Sequence, residues 1–264
     1  MTRTNYVAAM DALAKLKDIA SIEFGGTAED FDVSGEVVYS KSNPSRRMSY
    51  AQAAQKAIEL RGRYSGHVVP DDINPMTARA VSSLVDTGLI GVARDNMGQR
   101  GMVPALAVGF IEIELDTETG KIEIIDYLGV ADCGTVTHPQ GLATQIKGGA
   151  VMGFGMALTE RHLYDDVWGL PGSIGLYQAK PPSYLDVPSE MSWAAVDIAD
   201  PENPVGSKGI GEPVMGCSAA ALLCAISEAL EGHYFNRTPV VIDMIVNAYS
   251  GQPQSHTPLQ VNTQ

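Results

Sequence analysis

The sequence predicts an α+β fold, in which hairpins and a mixed sheet are layered with buried helices. Residues 105–116 and 121–130 alternate apolar and polar side chains on either side of a short polar turn, as expected for a hairpin with one buried face. Residues 214–230 are mostly small or apolar, which is typical of a buried helix. Helix and strand patterns do not alternate regularly, so layers are favoured over a doubly wound parallel sheet.

The first ninety residues predict three helices and one strand. Residues 1–20 have the periodicity of an amphipathic helix, and Ser49 is placed to cap a second helix that runs to Arg63. A third helix is expected after Asn74-Pro75, ending before Gly88, and residues 35–39 form a short strand. The apolar stripe expected on the first helix consists of Val7, Met10, Leu13, Leu16 and Ile19.

The second half begins with the hairpin and continues with three further helices. A glycine-punctuated helix is predicted over residues 139–161, followed by a Gly/Pro-rich excursion over 168–188 and a strand over 192–199. A helix is expected to begin at Glu212 or Pro213, and Thr238 to cap a last one over 239–249. We expect one domain over residues 1–250 and a polar tail over 251–264.

Glycines at 148, 149, 153 and 155 admit two interpretations. A nucleotide-binding loop would need them between a strand and a helix, whereas they lie inside a helical pattern. Gly149 and Gly153 are four residues apart and leave one helix face without side chains, which permits close approach of another backbone or a flat ligand. A tight helix crossing is the favoured interpretation.

Composition and charge exclude several classes of protein. The chain has 264 residues, 45% of them hydrophobic and 19% charged, as in a packed globular protein. Its net charge of -13 disfavours binding to nucleic acid or to an anionic membrane. The first twenty residues have no signal-peptide pattern, and no apolar run is long enough to span a bilayer. A cytoplasmic protein without direct membrane insertion is expected.

The cysteines and histidines predict no metal centre held by this chain. Cys133, Cys217 and Cys224 are too few for a disulfide framework and include no Cys-x-x-Cys pair. Five histidines are scattered without metal-ligand spacing. Any iron-sulfur cluster used with this chain is therefore expected on another polypeptide.

The segment from Gly206 to Pro213 is the most informative stretch for function. Gly209 and Gly211 are expected to allow positive φ and close approach of another group, and Glu212 stands at the start of a helix. The positive end of a helix favours an ionised carboxylate and anionic ligand groups. A general base and an ordinary helix start are both compatible with this pattern taken alone.

Several segments in a fixed order resemble one protein family. The order is the hairpin, Asp132-Cys133-Gly134, His138-Pro139, the stretch from Gln145 to Gly153, and the loop 206–213. Together they resemble the C-terminal part of the molybdopterin-binding subunit of the xanthine dehydrogenase and aldehyde oxidoreductase family, over residues 97–247. The opening helix and residues 43–46 match more loosely.

This resemblance implies a set of site residues. Glu212 would be the active-site base of a hydroxylation that takes its oxygen from water. Gln145 would contact the molybdopterin cofactor, for which the cytosine dinucleotide form is one option, and molybdenum would be held through the pterin. Lys208 would either neutralise the cofactor or be a solvated loop lysine. The remaining cofactor contacts implied are Gly209, Ile210, Gly211, Thr2, Arg3 and Thr4.

The resemblance also implies partners. Family subunits of this type are much longer, so we expect a split subunit whose N-terminal half is a separate chain. Electrons would leave through [2Fe-2S] clusters on an iron-sulfur subunit and through FAD on a further subunit. The substrate would be a small molecule with an electron-poor carbon, such as an N-heterocycle or an aldehyde. In the family, most side chains that select the substrate come from the first half of the subunit. No counterpart of that half is found in this sequence.

Two other functions are less compatible with the sequence. A non-catalytic scaffold subunit of the same type of complex would bind partners without metal, but it would have no need of a carboxylate at Glu212. A metal-independent hydrolase would need a nucleophile elbow or a His/Asp arrangement, and the sequence has neither. The molybdenum hydroxylase subunit is the favoured hypothesis.

Overall fold

The computed structural model describes residues 2–94 and 104–256. The chain divides into two compact units, Met1–Met102 with Glu202–Pro204, and Val103–Pro201 with Val205–Gln264. The single domain expected over 1–250 stays a prediction. Met1, the start of the family resemblance at residues 97–103, and residues 257–264 of the expected tail lie outside the described residues.

The first unit packs helices on a three-stranded antiparallel sheet. The sheet is formed by β1 (Phe31–Ser34), β2 (Val37–Ser40) and β3 (Arg47–Ser49), in that order. The helices are α1 (Thr2–Phe24), α2 (Tyr50–Leu60) and α3 (Pro75–Ser83). The core between α1, α2 and the sheet consists of Ile19, Ala20, Phe31, Val38, Met48, Ala53 and Ala57. Val81 of α3 lies in a separate cluster with Ile90 and Val92.

Local capping explains where α2 and α3 begin. Ser49 accepts a hydrogen bond from the backbone N–H of Gln52, whose side chain accepts one from the Ser49 N–H in return. Asn74 accepts from the N–H of Met76, and Pro75 occupies the first turn of α3. Both predicted starts are therefore confirmed.

Three expectations for this unit need correction. Helix α2 ends at Leu60 rather than Arg63, because Arg61 adopts a φ of 57° that the helix cannot continue. The predicted single strand is one of three, since β1 and β3 are too short to show alternation. The expected apolar stripe of α1 is incomplete because Met10 is exposed.

The second unit is built on the predicted hairpin. Strands β4 (Ala107–Leu115) and β5 (Ile122–Ala131) pair antiparallel, with an irregularity between Glu112 and Ile113. Burial alternates along β4, as the sequence pattern predicted. Strand β6 (Ser192–Ala195) is shorter than expected and pairs parallel to β5, which makes the sheet mixed.

Two long helices cover one face of this sheet. They are α4 (Pro139–Leu158) and α6 (Pro213–Ala229). A β-carbon at Gly109 in β4 would lie 3.2 Å from the carbonyl oxygen of Cys217 in α6. One at Gly129 in β5 would lie 2.5 Å from Cγ2 of Ile146 in α4. Glycine in the strands thus lets both helices approach the sheet closely.

Outside this layer, the excursion and the last helix differ from expectation. A short helix, α5 (Leu176–Ala179), lies within the Gly/Pro-rich excursion. The last helix, α7 (Ile242–Tyr249), begins later than predicted and is preceded by Val241, so Thr238 does not cap it. Residues 238 and 239 form a bend instead of a helical turn, and the Val240 N–H bonds to the Ala157 carbonyl oxygen at 2.7 Å.

The described part of the tail is attached to α7. Gln254 donates through Nε2 to the carbonyl oxygen of Met244 at 3.0 Å, and the Ser255 hydroxyl donates to the Asp243 carboxylate.

Within the described ranges, no helix combines the length and apolar content needed to cross a bilayer. The α+β fold class is confirmed.

Candidate functional site

The loop before α6 is held against the chain that follows β5. The carbonyl oxygen of Gly206 accepts hydrogen bonds from the backbone N–H groups of Thr135 and Asp200, both at 2.8 Å. Gly206 has a φ of 73°, and a β-carbon there would lie 2.5 Å from Oγ1 of Thr135. Only glycine satisfies both conditions without strain. Gly206 therefore fixes where the loop begins.

Lys208 provides the second attachment. Its backbone N–H bonds to the carbonyl oxygen of Cys133 at 2.7 Å, and its Nζ lies 2.6 Å from Oδ2 of Asp132. The Nζ is also 3.4 Å from the carbonyl oxygen of Pro104. The side chains of Lys208 and Asp132 are only 14% and 18% exposed. The loop is thus tied to the end of β5 by main chain and by charge.

The ion pair explains the electrostatics of this attachment. The ammonium group of Lys208 holds the pKa of Asp132 below its usual range, and the Gly134 N–H, donating to Oδ1 at 3.2 Å, adds to the effect. Of the two roles considered for Lys208, the solvated loop lysine is therefore wrong. Its charge is compensated within the chain, and any contact with a cofactor stays a prediction.

In the middle of the loop, Ile210 is partly buried, and the two glycines beside it face open space. Ile210 packs against the core of the second unit. Gly209 and Gly211 do not have a left-handed φ, which corrects the sequence expectation. A β-carbon at either position would have no described atom within 4 Å. Nothing in the described chain requires glycine here, so the open space beside the backbone is available to a group from outside.

Glu212 occupies the position before the first turn of α6. Its carbonyl oxygen accepts from the N–H of Met215 at 3.0 Å, which starts the helix as predicted. Its carboxylate accepts no capping hydrogen bond from α6, all of which is described, and the residue is exposed. An uncapped carboxylate at the positive end of a helix is oriented toward solvent or toward a ligand.

Gln145 is exposed on α4, one turn before a close crossing with α6. A β-carbon at Gly149 would lie 3.1 Å from Cβ of Val214, and one at Gly153 would overlap the hydroxyl of Ser218. Because 149 faces 214 and 153 faces 218, the helices run parallel, and Gln145 lies level with the loop before α6. The predicted tight crossing at these glycines is confirmed.

The amino-terminal contacts lie in the other unit. Thr2, Arg3 and Thr4 form the first turn of α1, so the helix begins at this segment rather than after it. Their predicted contact with the cofactor stays a prediction. The second unit brings together Gln145, Lys208, Gly209, Ile210, Gly211 and Glu212.

Sequence reasoning missed the partner of Lys208. Asp132 belongs to one of the segments that carry the family resemblance, but the sequence alone assigns it no role. The signal that could have found it is the pattern Asp-x-Gly at 132–134, because an aspartate commonly accepts from the N–H two residues on, and Gly134 has a φ of 64°. A basic side chain from a segment that passes beside such a turn, here the loop of Lys208, can then pair with the aspartate carboxylate.

No protein-ligated metal site is found in the described ranges. Among residues 2–94 and 104–256, no group of three or more His, Cys, Asp or Glu side chains could hold a metal ion. The geometry instead offers a bare backbone stretch, an exposed carboxylate and an exposed amide, which are groups that suit an organic cofactor with polar edges.

Comparison with known proteins agrees with this geometry. Residues 3–188 match the molybdopterin cofactor-binding domain family. The chain is 32% identical over 180 residues to the 6-hydroxypseudooxynicotine dehydrogenase complex subunit gamma of Paenarthrobacter nicotinovorans, covering 67% of this chain and 22% of that one. It is 32% identical over 126 residues to the xanthine dehydrogenase molybdenum-binding subunit of Escherichia coli O157:H7, covering 48% and 17%.

A solved structure supports the fold. Quinoline 2-oxidoreductase from Pseudomonas putida 86 superposes with a TM-score of 0.66 over 93% of this chain and 29% of that chain, at 24% identity. The chain spans about a fifth of the length of the two curated relatives. The family match ends before the loop 206–213, so it does not test the role expected for Glu212. The chain belongs to the molybdopterin cofactor-binding domain family of the xanthine dehydrogenases and aldehyde oxidoreductases.

Proposed function

We propose that this chain forms part of the cofactor site of a molybdenum hydroxylase, with Glu212 as the general base. The observation that carries the proposal is the position of the Glu212 carboxylate. It is exposed and uncapped, and it follows directly on a stretch of backbone with open space at Gly209 and Gly211. The carboxylate is therefore free to meet a group from outside the chain.

The residues of the second unit fit a pterin cofactor. Main-chain N–H and C=O groups between 208 and 211 offer hydrogen bonds to a flat polar ring, and glycine allows the ring to approach. Gln145 adds a side-chain amide that can both donate and accept. Thr2, Arg3 and Thr4 would add donors from the first unit. The cytosine dinucleotide form of the cofactor would fit the same groups.

When bound, a molybdenum-pterin group would supply two-electron oxidation of the substrate carbon. The task of the chain is proton transfer and positioning. One oxygen of the Glu212 carboxylate accepts the proton of the water-derived hydroxyl that attacks this carbon. Glu212 stands at the N-terminal end of α6, where the unpaired backbone N–H groups also attract anionic groups of a ligand. The attachment of Lys208 to Asp132 and Cys133 keeps the loop, and hence Glu212, in place.

The remainder of the site lies outside these 264 residues. The chain corresponds to about a fifth of the length of its curated relatives, and one of them is named as a subunit of a complex. We therefore propose a partner segment carrying the N-terminal part of the molybdenum subunit, with [2Fe-2S] clusters and FAD on further subunits. That the partner segment is a separate chain is also a prediction.

The substrate is proposed to be a small molecule with an electron-poor carbon. The relatives are named for 6-hydroxypseudooxynicotine and xanthine, which suggests an N-heterocycle or a related carbonyl compound. Such a carbon accepts attack by an oxygen nucleophile once the nucleophile has lost its proton, and this requirement is what a base at Glu212 supplies.

The test is Glu212→Gln in the assembled complex, with Glu228→Gln near the other end of α6 as the matched control. The amide keeps the size of the side chain but cannot accept the proton, so we expect kcat to fall by about 10²- to 10⁴-fold. Molybdenum content, measured by elemental analysis, should stay unchanged in both variants. Near-normal turnover of Glu212→Gln at full molybdenum content would refute the role of base.

The same measurement separates a catalytic subunit from a scaffold. A complex isolated under native conditions without molybdenum would favour the non-catalytic alternative. A complex that contains molybdenum and loses it in Gly209→Ala would favour a cofactor held by this loop.

A further inference from the structure

The excursion between α4 and β6 has an ordered backbone and an apolar surface. We call residues 161–187 the arm. The N–H of Gly172 bonds to the carbonyl oxygen of Leu163 at 2.6 Å, and the N–H of Asp165 to that of Leu170 at 2.9 Å. These bonds close a turn, and α5 follows it. The turn of the arm is therefore closed by its own hydrogen bonds, whereas its last residue, Val187, packs against the core of the second unit.

The arm exposes large apolar side chains along its length. Scattered exposed hydrophobic residues are ordinary on a protein surface, whereas many along one segment mark an interaction site. In this segment the exposed side chains come from the turn, from α5 and from the return toward β6. Each of the following is at least 77% exposed: Val167, Trp168, Ile174, Tyr177, Tyr184 and Leu185.

We infer that the arm is a protein-docking surface, and that its occupant is the part of the molybdenum subunit lying outside these 264 residues. This inference rests on the proposed function. The arm falls within residues 3–188, so it belongs to the family domain and is not an addition peculiar to this chain. In the curated relatives, about four-fifths of the subunit lies outside the matched segment, which provides a large surface to cover it.

The charge of the arm favours an apolar protein surface over other partners. Residues 161–187 contain two basic side chains, Arg161 and Lys180, and three acidic ones, Asp165, Asp166 and Asp186. This near-neutral balance gives no electrostatic attraction to phosphate, and the chain as a whole carries a net charge of -13. Aromatic residues on a near-neutral background are instead typical of the buried centre of protein interfaces.

A cavity beside the arm gives the occupant room to insert. It has a volume of about 1300 Å³ and lies between the start of β5, the arm and the start of α7. Apolar side chains contribute to its wall, including Ile124, Leu158 and Leu185. Interfaces in which side chains of one partner fill a pocket of the other are better packed than flat ones. The cavity and the arm therefore form one docking surface.

A photo-crosslinking amino acid at Trp168 tests the identity of the occupant in the purified complex. Tyr234, which is 81% exposed and outside the arm, is the control position. We expect cross-links from position 168, identified by mass spectrometry, to peptides of the molybdenum subunit outside residues 1–264, and few from position 234. Cross-links from 168 to another copy of this chain, to its own residues 2–94, or to an iron-sulfur or flavin subunit would overturn the inference.

Substitution tests whether the contact stabilises the complex. Tyr184→Ser combined with Leu185→Ser should weaken association by at least about tenfold, because interface aromatic and apolar anchors carry most of the affinity. Tyr234→Ser combined with Ile198→Ser, at exposed positions outside the arm, should leave it unchanged. Unchanged association of the arm variant, or its loss of binding to lipid vesicles instead, would overturn the inference.

The outcome is distinguishable from failure of the proposed function. Far-UV circular dichroism should be unchanged in both double variants, because the replaced side chains make no core contacts in the described structure. Molybdenum content and Glu212→Gln turnover in the intact complex test the cofactor site independently. A complex with normal molybdenum chemistry and an uncovered arm would refute the docking surface alone.

Discussion

The Nζ of Lys208 lies 2.6 Å from Oδ2 of Asp132, seventy-six residues earlier in the chain. The pair joins the loop that carries Glu212 to the end of β5, and both side chains are largely withdrawn from solvent. The backbone bond between Lys208 and Cys133 runs alongside it. The ion pair and the backbone hydrogen bond therefore both hold the loop at Lys208, four residues before the proposed base.

Lys208→Met should lower turnover without emptying the site. The variant keeps the length of the side chain but leaves the partly buried carboxylate of Asp132 without its cationic partner, so Lys208 holds the loop only by its backbone bond to Cys133. We expect kcat to fall by about tenfold, with Lys208→Arg recovering most of it. Lys121→Met, in the exposed hairpin turn, is the control. An unchanged kcat for Lys208→Met would show that the pair does not position Glu212.

Acid should weaken the same attachment. Because the pKa of Asp132 is lowered in the folded chain, its carboxylate stabilises the fold above the ordinary aspartate pKa of about 3.9. That contribution is lost as the pH falls through the lowered pKa. The difference in free energy of unfolding between the wild type and Asp132→Asn should therefore be constant near neutral pH and shrink toward zero in acid. A difference that is independent of pH would contradict the ion pair.

Alanine at Gly209 or Gly211 should affect the cofactor and spare the fold. Neither glycine has a left-handed φ and a β-carbon at either meets open space, so stability should change by less than about 0.5 kcal/mol. Molybdenum content should fall severalfold, because the added methyl group occupies the space proposed for the cofactor. Gly206→Ala is the contrasting variant, which should destabilise the chain through its φ of 73° and its contact with Thr135. Full molybdenum content in both loop variants would place the cofactor elsewhere.

The sequence predicted most helices and the hairpin because their signals are local. Ser49 and Asn74 cap the helices that follow them, and the alternation along β4 reports its two faces. The strands β1 and β3 carry a weaker local signal than β2, which contains three consecutive strand formers at 37–39. Asp32 and Ser34 interrupt β1, and β3 has only three residues, so both strands depend on pairing with β2.

The site was predicted less completely than the fold. Glu212 and its helix start follow from Gly, Glu and Pro in order, and the resemblance supplied Gln145. The pairing of Lys208 with Asp132 joins positions far apart in sequence. The local pattern Asp-x-Gly marks the turn at 132–134, but it does not identify Lys208 as the partner. A positive φ was expected at Gly209 and Gly211 but occurs at Gly206, since any of these glycines can adopt it and the hydrogen bonds of the Gly206 carbonyl oxygen fix it there.

The three cysteines should react with alkylating reagents in a fixed order. Burial raises the pKa of the Cys133 thiol, which is 4% exposed, and that of the half-buried Cys217, so both have little of the reactive thiolate at pH 8. Cys224 is exposed on α6. Iodoacetamide labelling followed by peptide mass spectrometry should give Cys224 first and Cys133 last. Equal rates in the folded chain, and not only in urea, would contradict the packing of β5 and α6.

Gly153→Ala and Gly148→Ala should have opposite effects on stability, although both change a glycine in the same helix. A β-carbon at Gly153 would lie 2.5 Å from the carbonyl oxygen of Met215 and 2.8 Å from the backbone nitrogen of Ala219, so α4 and α6 would have to separate. Overpacking of this kind costs about 1–3 kcal/mol. At Gly148 a β-carbon meets open space, and replacing glycine by alanine in an exposed helix position gains about 0.5–1 kcal/mol. Urea unfolding of both variants measures the difference, and a Gly153→Ala protein as stable as the wild type would exclude the close parallel crossing that sets Gln145 level with the loop of Glu212.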